Sequence, residues 1–425
     1  MTELVWSLAG ATTIGLPLYA FRVRGRVYAV VAVVILAIAL PGALATHVRL
    51  RAQLPPSAAL ALDALFAYGM AAAGTHLASL VTARLRSPAF RLLVSIPGMV
   101  FVAAGTLAGV WLLALAPVRA ILAGLGQGEV LAALRWADAL PLIVAAGSVV
   151  TSVRPREEVV RIVLPGEGAR GGRALTRVPV ARHRRTPPPL PTRALRIVQI
   201  ADPHVGPWQP IEQLRRRVER LVSRDPDLVL LTGDFLTMEG AGTRGALAAA
   251  LAPLQRLGGR CFAVLGNHDY DSDAALAEVR DGLERNDVCL LVDDEAVVAT
   301  AAGPTQIVGA DYVGRGRRAH VRSLLREFPR RAGHARILLL HDPSAFHHVP
   351  PGDVDLTLSG HTHGGQVGLV SLGLPWTVLS RSRWPDHGLF AKGSSLLYVH
   401  RGTGFYGFPL RVGVPGEASL LEVVL

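Results

Sequence analysis

The sequence predicts two structural units of different class: an all-helical unit lying in lipid over residues 1–153, and an α/β layered unit over residues 195–425. Three observations predict this. Five long apolar stretches crowd the first part of the chain. A basic, Pro-rich segment interrupts the pattern at residues 154–194. Beyond it, short apolar strands alternate with helical periodicity, the sign of a layered α/β domain.

The apolar stretches run over Leu4–Tyr19, Val27–Ala45, Ala58–Val81, Leu92–Val118 and Ala137–Val153. Each approaches the ~20 residues that cross a hydrocarbon core. Half of all residues are hydrophobic and the mean hydropathy is +0.36, values that suit a chain with one unit in lipid. Five spans are expected, with four as the competing count. The first stretch follows Met-Thr-Glu rather than a basic segment, so it reads as a retained span and not as a cleaved leader. Arg22, Arg24 and Arg26 follow the first span, and Arg84, Arg86 and Arg91 lie between the third and fourth. The positive-inside tendency makes these loops cytoplasmic, and five spans then put the second unit in the cytoplasm of a multi-pass cell-membrane protein. Arg49 and Arg51 run against this orientation. Asp63 is the one acid well inside a span, where a carboxylate needs a polar neighbour or a function.

The formal charge of +12 is unevenly held. Residues 1–153 contribute +6 and residues 154–194 contribute +7, which leaves −1 for the rest. The basic balance therefore belongs to the membrane flanks and the connecting segment, where it meets anionic headgroups. No basic patch with interleaved aromatics occurs in the second unit, so no nucleic-acid partner is expected; membrane lipid is the expected partner and no protein partner is predicted. Residues 154–194, ending in Thr186-Pro187-Pro188-Pro189-Leu190-Pro191, read as an extended connector. Two cysteines, Cys261 and Cys289, are too few for a disulfide framework, and Cys261 reads as a buried thiol.

Strands are expected at Leu195–Ile200, Leu228–Leu231, Cys261–Leu265, Ile337–Leu340 and Val354–Leu358. Between the first two, Ile211, Leu214, Val218, Leu221 and Val222 recur at helical spacing, and Val288–Tyr312 reads as hairpin strands of a second sheet or sheet edge. Each of the five strands is followed by polar residues able to bind metal, where ligands sit in open α/β sheets. In order these are Asp202-Pro203-His204, Gly233-Asp234, Gly266-Asn267-His268-Asp269, His341-Asp342 and Gly360-His361-Thr362-His363-Gly364-Gly365. Singly, each passes for a turn; as an ordered series they point to one site. Imidazoles, an amide oxygen and carboxylates form a mixed N/O set suited to manganese, iron or zinc. A pair of such cations answers the difficulty of phosphate-ester hydrolysis, in which anionic oxygens repel the nucleophile.

These residues resemble the calcineurin-like metallophosphoesterase superfamily, whose pattern runs D-x-H, G-D, G-N-H-D, H, G-H-x-H. The resemblance covers the chain from about Leu195 onward and implies a four-layer α/β/β/α sandwich with two divalent metal ions. Carried over, Asp202, His204 and His363 correspond to ligands of one metal, Asn267, His341 and His361 to those of the other, and Asp234 to the bridge. His268 corresponds to a non-ligand histidine that protonates the leaving group or stabilises charge on the phosphoryl oxygens, with Asp269 orienting it. His341-Asp342-Pro343, Gly364-Gly365-Gln366 and Tyr398-Val399-His400-Arg401-Gly402-Thr403-Gly404 are similar to the YkuE-like branch of membrane-associated bacterial phosphoesterases, though a serine commonly stands where this chain has His400. The resemblance implies a phosphate-ester substrate, a lipid-linked one included. Arg401 is the expected substrate-phosphate contact, with a structural salt bridge as its other reading. His347, His348 and His387 read as surface or rim residues. The competing function is a membrane transport or sensor protein with a regulatory phosphoesterase module.

Overall fold

A computed structural model describes residues 1–165, 174–184, 189, 194–405, 407 and 410–425. Most of the Thr186–Pro191 run lies outside the described residues. The chain divides into two compact units, one over 1–150 and the other beginning at Thr151.

In the first unit five helices are long and apolar enough to cross a membrane: α1 Thr2–Arg24, α2 Arg26–Arg51, α3 Pro56–Leu80, α4 Pro88–Gly124 and α5 Gly128–Val153. Val27, Val110, Leu113 and Ile143 turn outward. Their faces suit lipid, which takes up apolar surface that water would penalise. Inside, small residues let backbones approach closely. A Cβ added at Gly105 of α4 would meet the Ala39 carbonyl of α2 and come within 3.1 Å of Ala43 Cβ. Buried charges are fully paired. Asp63 faces His47 at 2.8 Å, Thr2 at 2.9 Å and Arg51 at 3.0 Å, and Asp138 meets Arg49 at 2.6 Å and also pairs with Arg119.

The second unit is built on two seven-stranded sheets. Its strands are β1 Arg156–Val163, β2 Thr176–Val178, β3 Ala181–His183, β4 Ala194–Ile200, β5 Leu228–Thr232, β6 Cys261–Val264, β7 Cys289–Leu290, β8 Asp294–Thr300, β9 Gly303–Ala310, β10 Ala335–Leu340, β11 Leu356–Ser359, β12 Gly388–Lys392, β13 Ser395–Val399 and β14 Glu417–Val424. One sheet runs β3-β1-β14-β4-β5-β6-β7 and the other β2-β12-β13-β11-β10-β9-β8. Strand alternation sorts the side chains. Leu195, Ile197, Leu228, Leu230 and Phe262 of the first sheet pack with Ile337, Leu339, Leu356, Leu358 and Tyr398 of the second in one interior cluster. The intervening residues Leu338, Leu340, Leu397 and Val399 point the other way, onto Val321, Leu324 and Leu325 of the helix Arg317–Glu327. Helices Ile211–Val222, Ala246–Leu257 and Asp273–Glu284 bury Leu214, Leu247, Leu251, Val279 and Leu283, and complete the helix, sheet, sheet, helix layering.

All five expected strands form, within a residue or two of their expected ends, and β8 and β9 form the expected hairpin. The segment read as a connector differs. Arg156–Val163 pairs in parallel with β14 along its whole length, and Val159, Val160 and Ile162 are buried. Its Val/Ile-rich run was masked by the Arg, Gly and Pro around it, and its partner lies far away in sequence, so only tertiary pairing reveals it.

Candidate metal centre

The candidate donors lie on loops that leave the C-terminal ends of β4, β5, β6, β10 and β11. These loops are shaped by backbone that L-residues seldom adopt. Of nine non-glycine residues with positive φ among the described residues, five are candidate donors: Asp202, His204, Asp234, His361 and His363. Strain of this kind persists where the surroundings over-determine it. Two glycines make room for the approach: a Cβ at Gly266 would strike Asp234 and lie 2.7 Å from the His341 ring, and one at Gly360 would strike the Asp202 carboxylate.

The two sheets are tied together at the site. The Asp202 carboxylate accepts the His361 backbone N–H at 2.8 Å and 3.1 Å. His341 Nδ1 lies 2.7 Å from the Thr232 carbonyl, to which it donates, so Nε2 is left as a lone-pair donor. That Nε2 stands 3.1 Å from Asn267 Oδ1, 3.2 Å from His361 Nδ1 and 3.3 Å from Asp234 Oδ2. On the other side, His204 Nε2 stands 3.3 Å from His363 Nε2 and 3.7 Å from Asp234 Oδ2, and His363 Nε2 is 3.8 Å from Asp202 Oδ1. Asp202, His204 and His363 thus form one group of convergent donors and Asp234, His341 and His361 another. Atoms bound to one cation at ~2.0–2.2 Å are separated by roughly 3.0–3.6 Å; the 3.1, 3.2 and 3.3 Å spacings fall within that range, and 3.7 and 3.8 Å lie just beyond it.

The electrostatics fit as well. Burial pushes Asp202 up to about 7, with the Asp234 charge adding to it and His341 opposing. Burial also opposes ionisation of Asp234, but His341, then His204 and His268, outweigh it and hold that carboxyl below the usual range. Burial drives His204 and His361 down to about 4, and takes His363 well below its ordinary value. His341 goes the other way, to about 10, because Asp234 outweighs its burial. A divalent cation takes carboxylates and neutral imidazoles together, and so suits such a cluster.

His268 lies at the edge of this group, its ring 5.6 Å from that of His204 and its backbone N–H donated to Asp234 Oδ1 at 2.9 Å. Its Nδ1 meets Asp271 Oδ2 at 2.9 Å. Asp271, rather than the expected Asp269, orients the ring. Asp269 accepts the backbone N–H groups of Gly266 at 2.7 Å, Phe235 at 2.8 Å and Asp234 at 2.9 Å, and so pins the β5 and β6 loops to each other. A buried acceptor three residues past a Gly-turn carries no sequence signature separating these roles. Arg401 is buried between Glu158, at 2.8 Å, and Glu417, at 3.2 Å. Arg411, unremarked in the sequence, donates to the carbonyls of Arg401 and Gly404 at 2.8 Å and His363 at 3.0 Å. His347 is exposed as expected, whereas His387, read as a surface residue, is 5 % exposed beside Asp386. Asp386 and the turn into β12 enclose it, a closure that its flanking Trp-Pro-Asp gives no hint of. Cys261 is a buried free thiol, pushed up to about 12 by burial.

Strand-tip carboxylates and imidazoles gathered between two packed sheets define a hydrolase of phosphate esters that works through metal. The sequence profile of the calcineurin-like phosphoesterase family matches residues 195–365, and the chain carries a domain of that family. It is similar to the phosphodiesterase YaeI of Escherichia coli, 28% identical over 231 residues that cover 54% of this chain and 82% of the relative. It is also similar to the uncharacterized metallophosphoesterase YkuE of Bacillus subtilis, at 27% identity over 54% of this chain and 78% of that one. A transmembrane protein with metallophosphoesterase domain from Bos taurus is 30% identical over 58% of this chain and 56% of its own length.

Proposed function

We propose that the domain is a dinuclear phosphohydrolase tethered to the cell membrane by its N-terminal helices. Asp202, His204 and His363 hold one divalent cation, Asn267, His341 and His361 hold the other, and Asp234 joins the two. The observation that carries this reading is the position of Asp234 Oδ2, within 3.7 Å of His204 Nε2 in one group and 3.3 Å of His341 Nε2 in the other. Manganese, iron or zinc suits this donor set.

When bound, such a pair supplies an activated water and neutralises the phosphoryl oxygens. The chain's own residues do the rest. Thr232 fixes the tautomer of His341, and Asp269 holds the Asp234 loop against the Asn267 loop. His268 protonates the leaving oxygen from Nε2, since Nδ1 faces Asp271. Burial lowers its pKa, but Asp271 and Asp234 more than offset this and raise it, which keeps a proton available.

Phosphodiesters and pyrophosphates, lipid-linked ones among them, are the proposed substrates; the apolar helices keep the enzyme where such substrates lie. The basic residues Arg22 to Arg26 and Arg84 to Arg91 support a cytoplasmic side for it. Detergent-solubilised protein stripped with a chelator is expected to lose activity on bis-p-nitrophenyl phosphate and recover it with manganese. Full activity of metal-free protein defeats the reading. A reporter fused after Leu425 is expected to report a cytoplasmic location; an external signal reverses the topology.

A further inference from the structure

Away from the candidate donors, the second unit contains a cavity of about 560 Å³ lined by five arginines: Arg156 of β1, Arg177 of β2, Arg182 of β3, Arg184 and Arg401. Their charge is only partly balanced. Arg182 and Arg401 share Glu158 and Glu417, and Arg177 pairs with Asp386. Arg156 has a hydrogen bond to Ser371 Oγ at 3.1 Å, and neither it nor Arg184 joins an ion pair among the described residues. Three carboxylates thus face five cations, with His387 held neutral by burial. Arg182 Nη2 is buried without a hydrogen-bond partner among the described residues. A buried donor left unused beside cations in excess of carboxylates is what an entering anion would satisfy.

The remaining wall is apolar, with Val178, Val180, Leu374 and Leu389 along it. A volume of this size is that of a small-molecule site rather than of a single trapped ion. We propose that this pocket binds a phosphate-bearing anion, with Arg156, Arg182 and Arg184 as the donors that recognise it and the apolar wall taking any hydrocarbon arm. A planar guanidinium presents paired N–H groups to phosphate oxygens, and the excess of two cations over carboxylates matches a dianion. The site is separate from the candidate metal centre but adjoins its loop: Thr362, between His361 and His363, donates to the Asp386 carbonyl at 2.6 Å, and Arg177 takes the carboxylate of that same Asp386. The inference does not depend on the proposed catalytic reading.

Equilibrium dialysis of the full-length protein in detergent, with radiolabelled orthophosphate and with dihexanoyl phosphatidic acid as probes, tests it. An Asp234→Asn background removes phosphate bound through the metal centre. Saturable binding is expected to remain there and to weaken at least about tenfold in Arg156→Ala/Arg184→Ala, as lost charge-assisted hydrogen bonds imply. Arg184→Glu, at an exposed position, is expected to weaken it without lowering the melting temperature. Equal binding of both probes identifies a soluble phosphate compound; tighter binding of the lipid identifies a headgroup with its chains on the apolar wall. No saturable binding in the Asp234→Asn protein, or binding indifferent to Arg184→Glu, overturns the proposal.

Discussion

Both units bury charged and polar groups, yet they treat them in opposite ways. In the helical unit Asp63 is met by His47, Arg51 and Thr2, and Asp138 by Arg49 and Arg119, so each carboxylate has its complement. At the strand tips of the α/β unit, like faces like. His204 looks at His363 across 3.3 Å, His341 at His361 across 3.2 Å, and the Asp234 charge raises Asp202. Complementary burial supports a structure, whereas burial of mutually unsuited groups marks a place completed by something else. Asp63, an intramembrane acid open to a functional reading, falls on the first side of that divide.

The contrast can be broken by experiment, beginning at the centre. Asp234→Asn is expected to cut turnover to near the metal-free level and to lower bound metal measured by mass spectrometry; normal metal content would remove Asp234 from its bridging position. His268→Ala is expected to retain metal and lose activity by roughly 10²–10⁴, and Asp271→Asn to share part of that loss, while Asp269→Asn should act through metal occupancy instead. Parallel effects of the two aspartates would show that only one of them had been correctly assigned. In the helical unit Asp63→Ala leaves Arg51 and His47 uncompensated and is expected to destabilise by about 3–5 kcal/mol. Thermal melts would read this, with turnover per folded molecule unchanged.

The smallest effect concerns His400, a buried imidazole outside the metal-centre donors, whose Nδ1 accepts the Gly402 N–H at 3.0 Å. Burial lowers it to about 4. Its folded pKa therefore lies below the unfolded value of about 6.5, so the unfolded chain takes up a proton that the folded chain refuses between those limits. Stability is expected to fall as pH drops from about 6.5 toward 4, by about 2 kcal/mol near pH 5. His400→Ser should flatten that part of the profile, and an unchanged profile would show that the imidazole is not held neutral.

The five strands and the candidate donors at their ends were legible because period, turn residues and ligand chemistry are local properties. Asp202, Asp234, Asn267, His341 and His361 each announce themselves beside a short apolar run. What escaped was tertiary in origin. Arg156–Val163 becomes a strand through β14 and β3, Asp271 rather than Asp269 meets the His268 ring, and Arg411 reaches three carbonyls on two segments. His387 is buried by a loop that its neighbours do not predict. Charge was legible in amount but not in placement: the arginines counted toward a connector line a cavity.

The position of β14 has a consequence for synthesis. It inserts between β1 and β4, and Arg161 pairs with Glu422 across 261 residues of sequence. While the ribosome works through everything between, β1 has emerged and β4 presents an open edge, so both wait with unmet backbone groups. The nascent domain must therefore be shielded until β14 has emerged. Premature stops anywhere upstream of Glu417 should yield aggregation-prone chains rather than weakened enzymes.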